Sequence, residues 1–161
     1  MSAGPVLRAV DPLGADALDL LAQAAAEARA LYPELFTPES PPATNTPLGE
    51  GDVYLVAFDG DVPVACGALR RIDAASAEVR RMFVLAGARR RGLARAMLAA
   101  LEQAAADLGY ARLLLETGFR QQPAMALYES CGFARSAPFG PYVGDPTSVC
   151  FAKAVAAARR R

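Results

Sequence analysis

The stretch that decides the fold is residues 77–108, AEVRRMFV-LAGARRRG-LARAMLAALEQAAADL. Its first eight residues alternate in the manner of a strand. Strict alternation sends Glu78, Arg80, Met82 and Val84 to one face and Val79, Arg81 and Phe83 to the other. A glycine- and arginine-rich loop, AGARRRG, follows at 86–92. Leu93, Met97, Leu101, Ala104 and Leu108 then recur as one helical stripe, with Gly109 placed to cap it. Residues 111–116, ARLLLE, are short and apolar, as in a strand buried by parallel pairing. Strand, helix and strand form a crossover unit, expected to be right-handed.

The junction of loop and helix carries chemistry. The first turn of a helix leaves about four N–H groups unpaired at the positive end of its dipole. A tight glycine loop aims such groups at one point, which suits phosphate or pyrophosphate. In Arg89-Arg90-Arg91-Gly92-Leu93-Ala94, Gly92 permits close backbone approach and Ala94 keeps the first turn uncrowded. Six arginines, Arg80, Arg81, Arg89, Arg90, Arg91 and Arg95, fall here without an intervening acid. They read either as phosphate ligands or as a solvated charged surface. No GxxxxGK[ST] is present, which excludes a P-loop, and no GxGxxG follows the first strand.

Working outward, residues 53–58 (VYLVAF) and 62–70 (VPVACGALR) form a hairpin about Asp59-Gly60-Asp61. Residues 5–10 read as a first strand. Residues 14–31 read as a helix with Leu18, Leu21, Ala25 and Ala28 on one stripe, stopped by Pro33. The proline-rich run 33–50 reads as a surface loop or a broken short helix. Downstream come a helix over 123–130, a strand opening at Phe133 and a last strand over 148–153. The expected class is α/β (α+β): a mixed, mostly antiparallel sheet flanked by helices, in one domain over 1–161 with a frayed tail at 154–161.

Segments 77–108 and 124–133 together resemble the GNAT family of N-acetyltransferases. The family signature, Q/R-x-x-G-x-G/A between a strand and a helix, stands here as Arg89 to Ala94, and ALYESCGF at 126–133 resembles its second conserved segment. The resemblance covers most of the chain. It implies a parallel strand pair that splays apart and acetyl-CoA as cosubstrate, with no metal. It places the pyrophosphate on Arg89, Arg90, Arg91, Gly92, Leu93, Ala94 and Arg95, and pantetheine along Met82, Phe83 and Val84. Gln121 stands where many relatives have asparagine. It further implies Glu78 as base, directly or through water, Glu116 as a weaker candidate, and Tyr128 as the acid that protonates the leaving thiolate. Tyr32, Phe36, Phe139 and Tyr142 fall in segments that shape the acceptor site.

Composition narrows the chemistry further. The 161 residues include no histidine, so imidazole acid–base catalysis, Ser-His or Cys-His pairs and histidine metal ligands are excluded. Cys66, Cys131 and Cys150 show no CxxC spacing, and neither Cys131 nor Cys150 has an evident base for an acyl-cysteine route. Direct transfer is therefore expected, and the resemblance implies a small-molecule amine as acceptor; a protein or peptide acceptor and a non-catalytic CoA-binding module are the alternatives. A cytoplasmic protein without membrane or nucleic-acid partners is expected, with a homodimer left open. Residues 1–60 hold two basic and nine acidic residues, net −7, and the rest is net +7. The acidic first third favours a cationic acceptor.

Overall fold

The computed structural model describes residues 4–156. Seven strands and three helices follow the expected order: β1 (Val6–Ala9), α1 (Ala15–Leu31), β2 (Val53–Asp59), β3 (Val62–Arg71), β4 (Ser76–Val84), α2 (Leu93–Leu108), β5 (Arg112–Gly118), α3 (Gln122–Ser130), β6 (Ala134–Arg135) and β7 (Ser148–Ala154). The sheet order is β1-β2-β3-β4-β5-β7-β6. Only β4 and β5 run parallel. Their pairing begins at Ser76 opposite Arg112 and ends at Val79 opposite Leu115, although β4 continues to Val84 and β5 to Gly118. The two strands therefore part in mid-sheet, as the expected splay requires.

A bulge contributes to that parting. On β3, Cys66 lies opposite Phe83 and Ala68 opposite Arg80, so β4 carries an extra residue there. Arg81 takes up the irregularity in left-handed backbone, with φ +60°. A bulge bends its strand and resets which side each later residue faces. The strict alternation expected for β4 thus fails at Arg81. Val79, Met82 and Val84 pack on the α2 side, while Phe83 packs on the α1 side. Glu78 and Val84 lie on opposite faces, and Arg80 and Arg81 line one cavity together.

The sheet separates two apolar layers. Ala17 and Leu20 of α1 cover Tyr54, Val56, Phe58, Cys66 and Ala68. On the other face α2 and α3 cover the larger core, including Leu69, Val79, Leu113, Leu115 and Phe151. Gly67 lets α2 approach closely, because a Cβ there would lie 2.8 Å from Met97 and 2.9 Å from Leu101.

Both helical stripes are corrected by a fraction of a turn. In α1 the buried residues are Ala17, Leu20 and Leu21, while Leu18 is 41% exposed. In α2 Leu98 and Ala105 join Leu93, Met97 and Leu101 inside, and Leu108 is exposed. With alanine on every side, the leucines alone do not fix the phase of these helices. Gly109 caps α2 as expected, in left-handed backbone with its N–H on the Ala105 and Ala106 carbonyls. The expected tail is also corrected: Ala154 belongs to β7, and Val155 is buried with its N–H on the Ala111 carbonyl. The remainder of the expected tail, 157–161, lies outside the described residues.

Candidate active site

The phosphate cradle is built from backbone. After Val84 the chain makes a single 3-10 turn at Ala86–Ala88 and then enters α2 through Arg89 to Gly92. Arg90 and Gly92 both have left-handed backbone, with φ +66° and +75°. These reversals leave the N–H groups of Arg90 to Arg95 without acceptors among the described residues; the first helical bond runs from Ala96 to the Gly92 carbonyl. A Cβ added at Gly92 would meet nothing within 4 Å, so the ground in front of these donors is open.

The arginines around it are mostly engaged. Arg89 forks onto Glu27 of α1 at 2.6 and 2.7 Å and also donates to the Val84 carbonyl. Arg91 meets Asp59 at 3.3 Å, and Arg95 donates to Ser130 and Cys131. Arg90 has no side-chain partner among the described residues. The run without acids in sequence thus acquires them through folding. Arg80 and Arg81 leave the loop group altogether, because the bulge turns both toward the α1 side.

The gap between β4 and β5 adjoins this loop. Met82, Phe83 and Val84 have no β5 partner, while Phe83 and Val84 remain paired with β3 on their other edge. Tyr128 of α3 lies on the same side as α2, its ring held between Phe133 and Phe151 at 6.1 Å centroid spacing. Its hydroxyl has no protein partner among the described residues. Burial, then the charge of Glu116, pushes its pKa up to about 12, so the phenol stays protonated throughout the neutral range. Gln121 precedes α3 by one residue, two helical turns before Tyr128.

A polar cluster occupies the α1 side of the same gap. Tyr142, from the 3-10 turn Gly140–Tyr142, donates to Oε2 of Glu78 at 2.6 Å. Phe139 packs edge-on against Tyr142 with centroids 5.2 Å apart. Burial and the Glu78 hydrogen bond raise the Tyr142 pKa, which keeps it a donor. Glu116 of β5 accepts from the Ser148 hydroxyl. Burial raises the Glu116 pKa, Ser148 opposes this, and Asp145 and Glu78 add to the rise.

Beside Glu78 lies a cavity of about 290 Å³ lined by Thr44, Asn45, Thr46, Arg70, Arg80 and Arg81. Arg70 donates to the Thr46 and Pro47 carbonyls and pairs with Asp52 at 2.9 Å. Arg81 holds Asn45 and the Thr44 carbonyl. Two guanidiniums therefore tie the proline-rich run down as a strap across the sheet.

Sequence reasoning missed this cavity. Nothing local marks Arg81 as a bulge, or Arg70 and Asn45 as its neighbours. Tyr32 and Phe36 are not brought into the cluster. The buried Tyr32 hydroxyl accepts the Arg120 N–H at 2.9 Å, and its ring packs on Phe119, fixing the end of α1 to the end of β5. Phe36 lies under the Arg29 guanidinium at 5.1 Å.

The acidity of residues 1–60 is also redistributed. Glu27, Glu34, Asp52 and Asp59 pair with Arg89, Arg120, Arg70 and Arg91. These four of the nine acids are offset in place, and the wall of the cavity carries three arginines.

The left-handed glycine loop with free N–H groups and the parting parallel strands lie within residues 20–133, which match the model of the acetyltransferase (GNAT) family. The chain belongs to the GNAT family. Two relatives are an IAA acetyltransferase of Azospirillum brasilense, 42% identical over 101 residues, and the N-acetyltransferase YsnE of Bacillus subtilis, 40% identical over 99 residues. The matches cover 62% and 60% of this chain, and 66%, just under two thirds, of each relative. A Klebsiella pneumoniae structure described as an acyl-CoA N-acyltransferase superposes with a TM-score of 0.76 at 28% identity, covering 94% of this chain and 97% of that one. The GNAT fold of this chain is thereby plain. Among the described residues, no helix is long and apolar enough to cross a membrane.

Proposed function

We propose that this protein is an N-acetyltransferase that moves acetyl from acetyl-CoA to the amine of a small molecule, by direct attack within a ternary complex. The observation that carries the reading is the gap between β4 and β5. An unpaired N–H cradle and a protonated tyrosine stand on one side of it, and a carboxylate held by Tyr142 stands on the other.

The residues fit the cosubstrate. The N–H groups of Arg90 to Arg95 would hold the pyrophosphate, with Arg90 the guanidinium left to add charge. The unpaired edge of Met82, Phe83 and Val84 would hold pantetheine, and one N–H there would polarise the thioester carbonyl, an effect worth a few kcal/mol. Gln121 would reach pantetheine through its amide. When bound, acetyl-CoA supplies an activated acetyl thioester.

The acceptor amine loses a proton to Glu78, whose Oε1 has no partner among the described residues, and its nitrogen bonds to the acetyl carbon. As the carbon–sulfur bond breaks, Tyr128 gives its proton to the thiolate. Glu78 and Tyr128 are thus the acid–base pair in a chain without histidine. The 290 Å³ cavity beneath the strap suits a small molecule rather than a protein loop.

Two measurements test the reading. Acetyl-CoA is expected to raise the melting temperature through binding linkage, and an acceptor screen that follows free CoA should find turnover with a small amine. No thermal shift at millimolar acetyl-CoA overturns the cosubstrate claim. Turnover with peptides alone replaces the small-molecule claim.

A further inference from the structure

The acetyl-transfer reading gives the cavity next to the Glu78–Arg80 pair to the acceptor and leaves its arginines without a task. Its three arginines differ in what remains of their donors. Arg70 is paired with Asp52 and gives both Nη atoms to Asp52 and two carbonyls. Arg81 gives Nε and one Nη to neutral oxygens of Asn45 and Thr44, and among the described residues no carboxylate lies within ion-pair distance of it. Among the same residues Arg80 makes no hydrogen bond and meets one acid, Glu78, with Nε 4.0 Å from Oε2; its side chain is 43% exposed. Its Nη1 and Nη2 have no acceptor among the described residues.

Arg80 and Arg81 therefore share one wall, and the one carboxylate within ion-pair distance of either among the described residues is Glu78, whose Oε2 also accepts from Tyr142. An anion there would be drawn in by both, and a planar two-oxygen anion matches the fork of Arg80. The positive and negative groups of the protein also stand side by side: Arg80 against Glu78. A ligand complementary to that pair has an ammonium and a carboxylate on neighbouring atoms.

We propose that the acceptor is an amino-acid-like zwitterion, with its carboxylate on the free Nη atoms of Arg80 beside Arg81 and its amine at Oε1 of Glu78. The inference rests on the acetyl-transfer reading for its chemistry, and on the cavity alone for its recognition. The same placement sets the amine at the gap where the thioester carbonyl would lie. It also gives the strap a role: Arg81 fixes Asn45 and Thr44, which line the same cavity.

The test uses matched acceptors. CoA release is followed with the twenty amino acids, their amides and their decarboxylated amines. At least one amino acid is expected to exceed its own amide and amine by tenfold or more in kcat/KM. Arg80→Gln should collapse that ratio toward one, and Arg80→Lys should restore part of it. A separate calorimetric titration without CoA compares N-acetyl-amino acids with N-acetyl-amino-acid amides; carboxylate-dependent binding that Arg80→Gln weakens tenfold is expected. The proposal is overturned if amides or simple amines are equally good acceptors. It is overturned too if Arg80→Gln lowers acid and amide alike, or if no amino acid reacts and no N-acetyl-amino acid binds. Loss of acetyl-CoA binding with Arg80-dependent carboxylate binding intact would instead remove the acetyl-transfer reading and leave the recognition site standing.

Discussion

The cradle beside the gap comes from consecutive residues, Arg90 to Arg95, and presents backbone N–H groups. The cluster on the α1 side gathers Asn45, Arg70, Glu78, Arg81, Glu116 and Tyr142 from widely separated segments and acts through side chains. The first tolerates many side chains so long as two residues keep left-handed backbone. The second depends on side-chain identity at every position. In the proposed reading, one surface recognises what all GNAT reactions share, and the other carries what distinguishes this chain.

If the two sides are separable, each can be broken alone. Gly92→Asp sets a strained residue and a carboxylate against the pyrophosphate site. It should abolish the acetyl-CoA-induced thermal shift and leave calorimetric binding of N-acetyl-amino acids in place. Glu78→Gln should do the reverse, lowering kcat about 10²–10⁴-fold with the acetyl-CoA dissociation constant changed less than twofold. A matching collapse of both binding activities in either variant would show one coupled site.

The next effect in size concerns the scaffold. Leu101 is fully buried where α2 meets β3. Leu101→Ala should cost about 2–5 kcal/mol in urea unfolding and weaken the cradle along with the fold. Asp52 anchors the other side. Burial would raise its pKa, but the Arg71 and Gly49 N–H groups and the Arg70 guanidinium outweigh this and hold it low. A lowered folded pKa contributes stability above the unfolded value, lost as pH falls through the folded one. Asp52→Ala should therefore cost about 2 kcal/mol at pH 7, and the difference from the parent should shrink in acid.

The smallest effect is at Glu116, whose pKa burial raises. The sign is opposite: its contribution is complete below the unfolded carboxyl value and is lost as pH rises through the folded one. Glu116→Gln should leave acid stability near that of the parent and improve relative stability toward neutral pH, read from melting curves at pH 4 and pH 7.

Much of the fold was legible because its signals are local. The hairpin turn at Asp59-Gly60-Asp61, the cap at Gly109, the loop at Gly92 and the short apolar strand before Glu116 are each written in adjacent residues. The faces of β4 were not, because a bulge has no required residue type and Arg81 resembles its neighbours. Nor were the partners of the loop arginines. Glu27 and Asp59 stand 62 and 32 residues away from Arg89 and Arg91.

By itself the sequence determined the order of elements, the cradle and the absence of imidazole chemistry, since each follows from residue type and short spacing. Only the tertiary structure decided which arginines stay beside the loop at 86–92 and which line the cavity under the strap. Charge in a sequence is a sum, whereas recognition depends on where folding places each charge and what is left unpaired beside it. Four acids of the first third pair with distant arginines, and among the described residues the guanidinium lining the cavity under the strap with both Nη atoms free is Arg80.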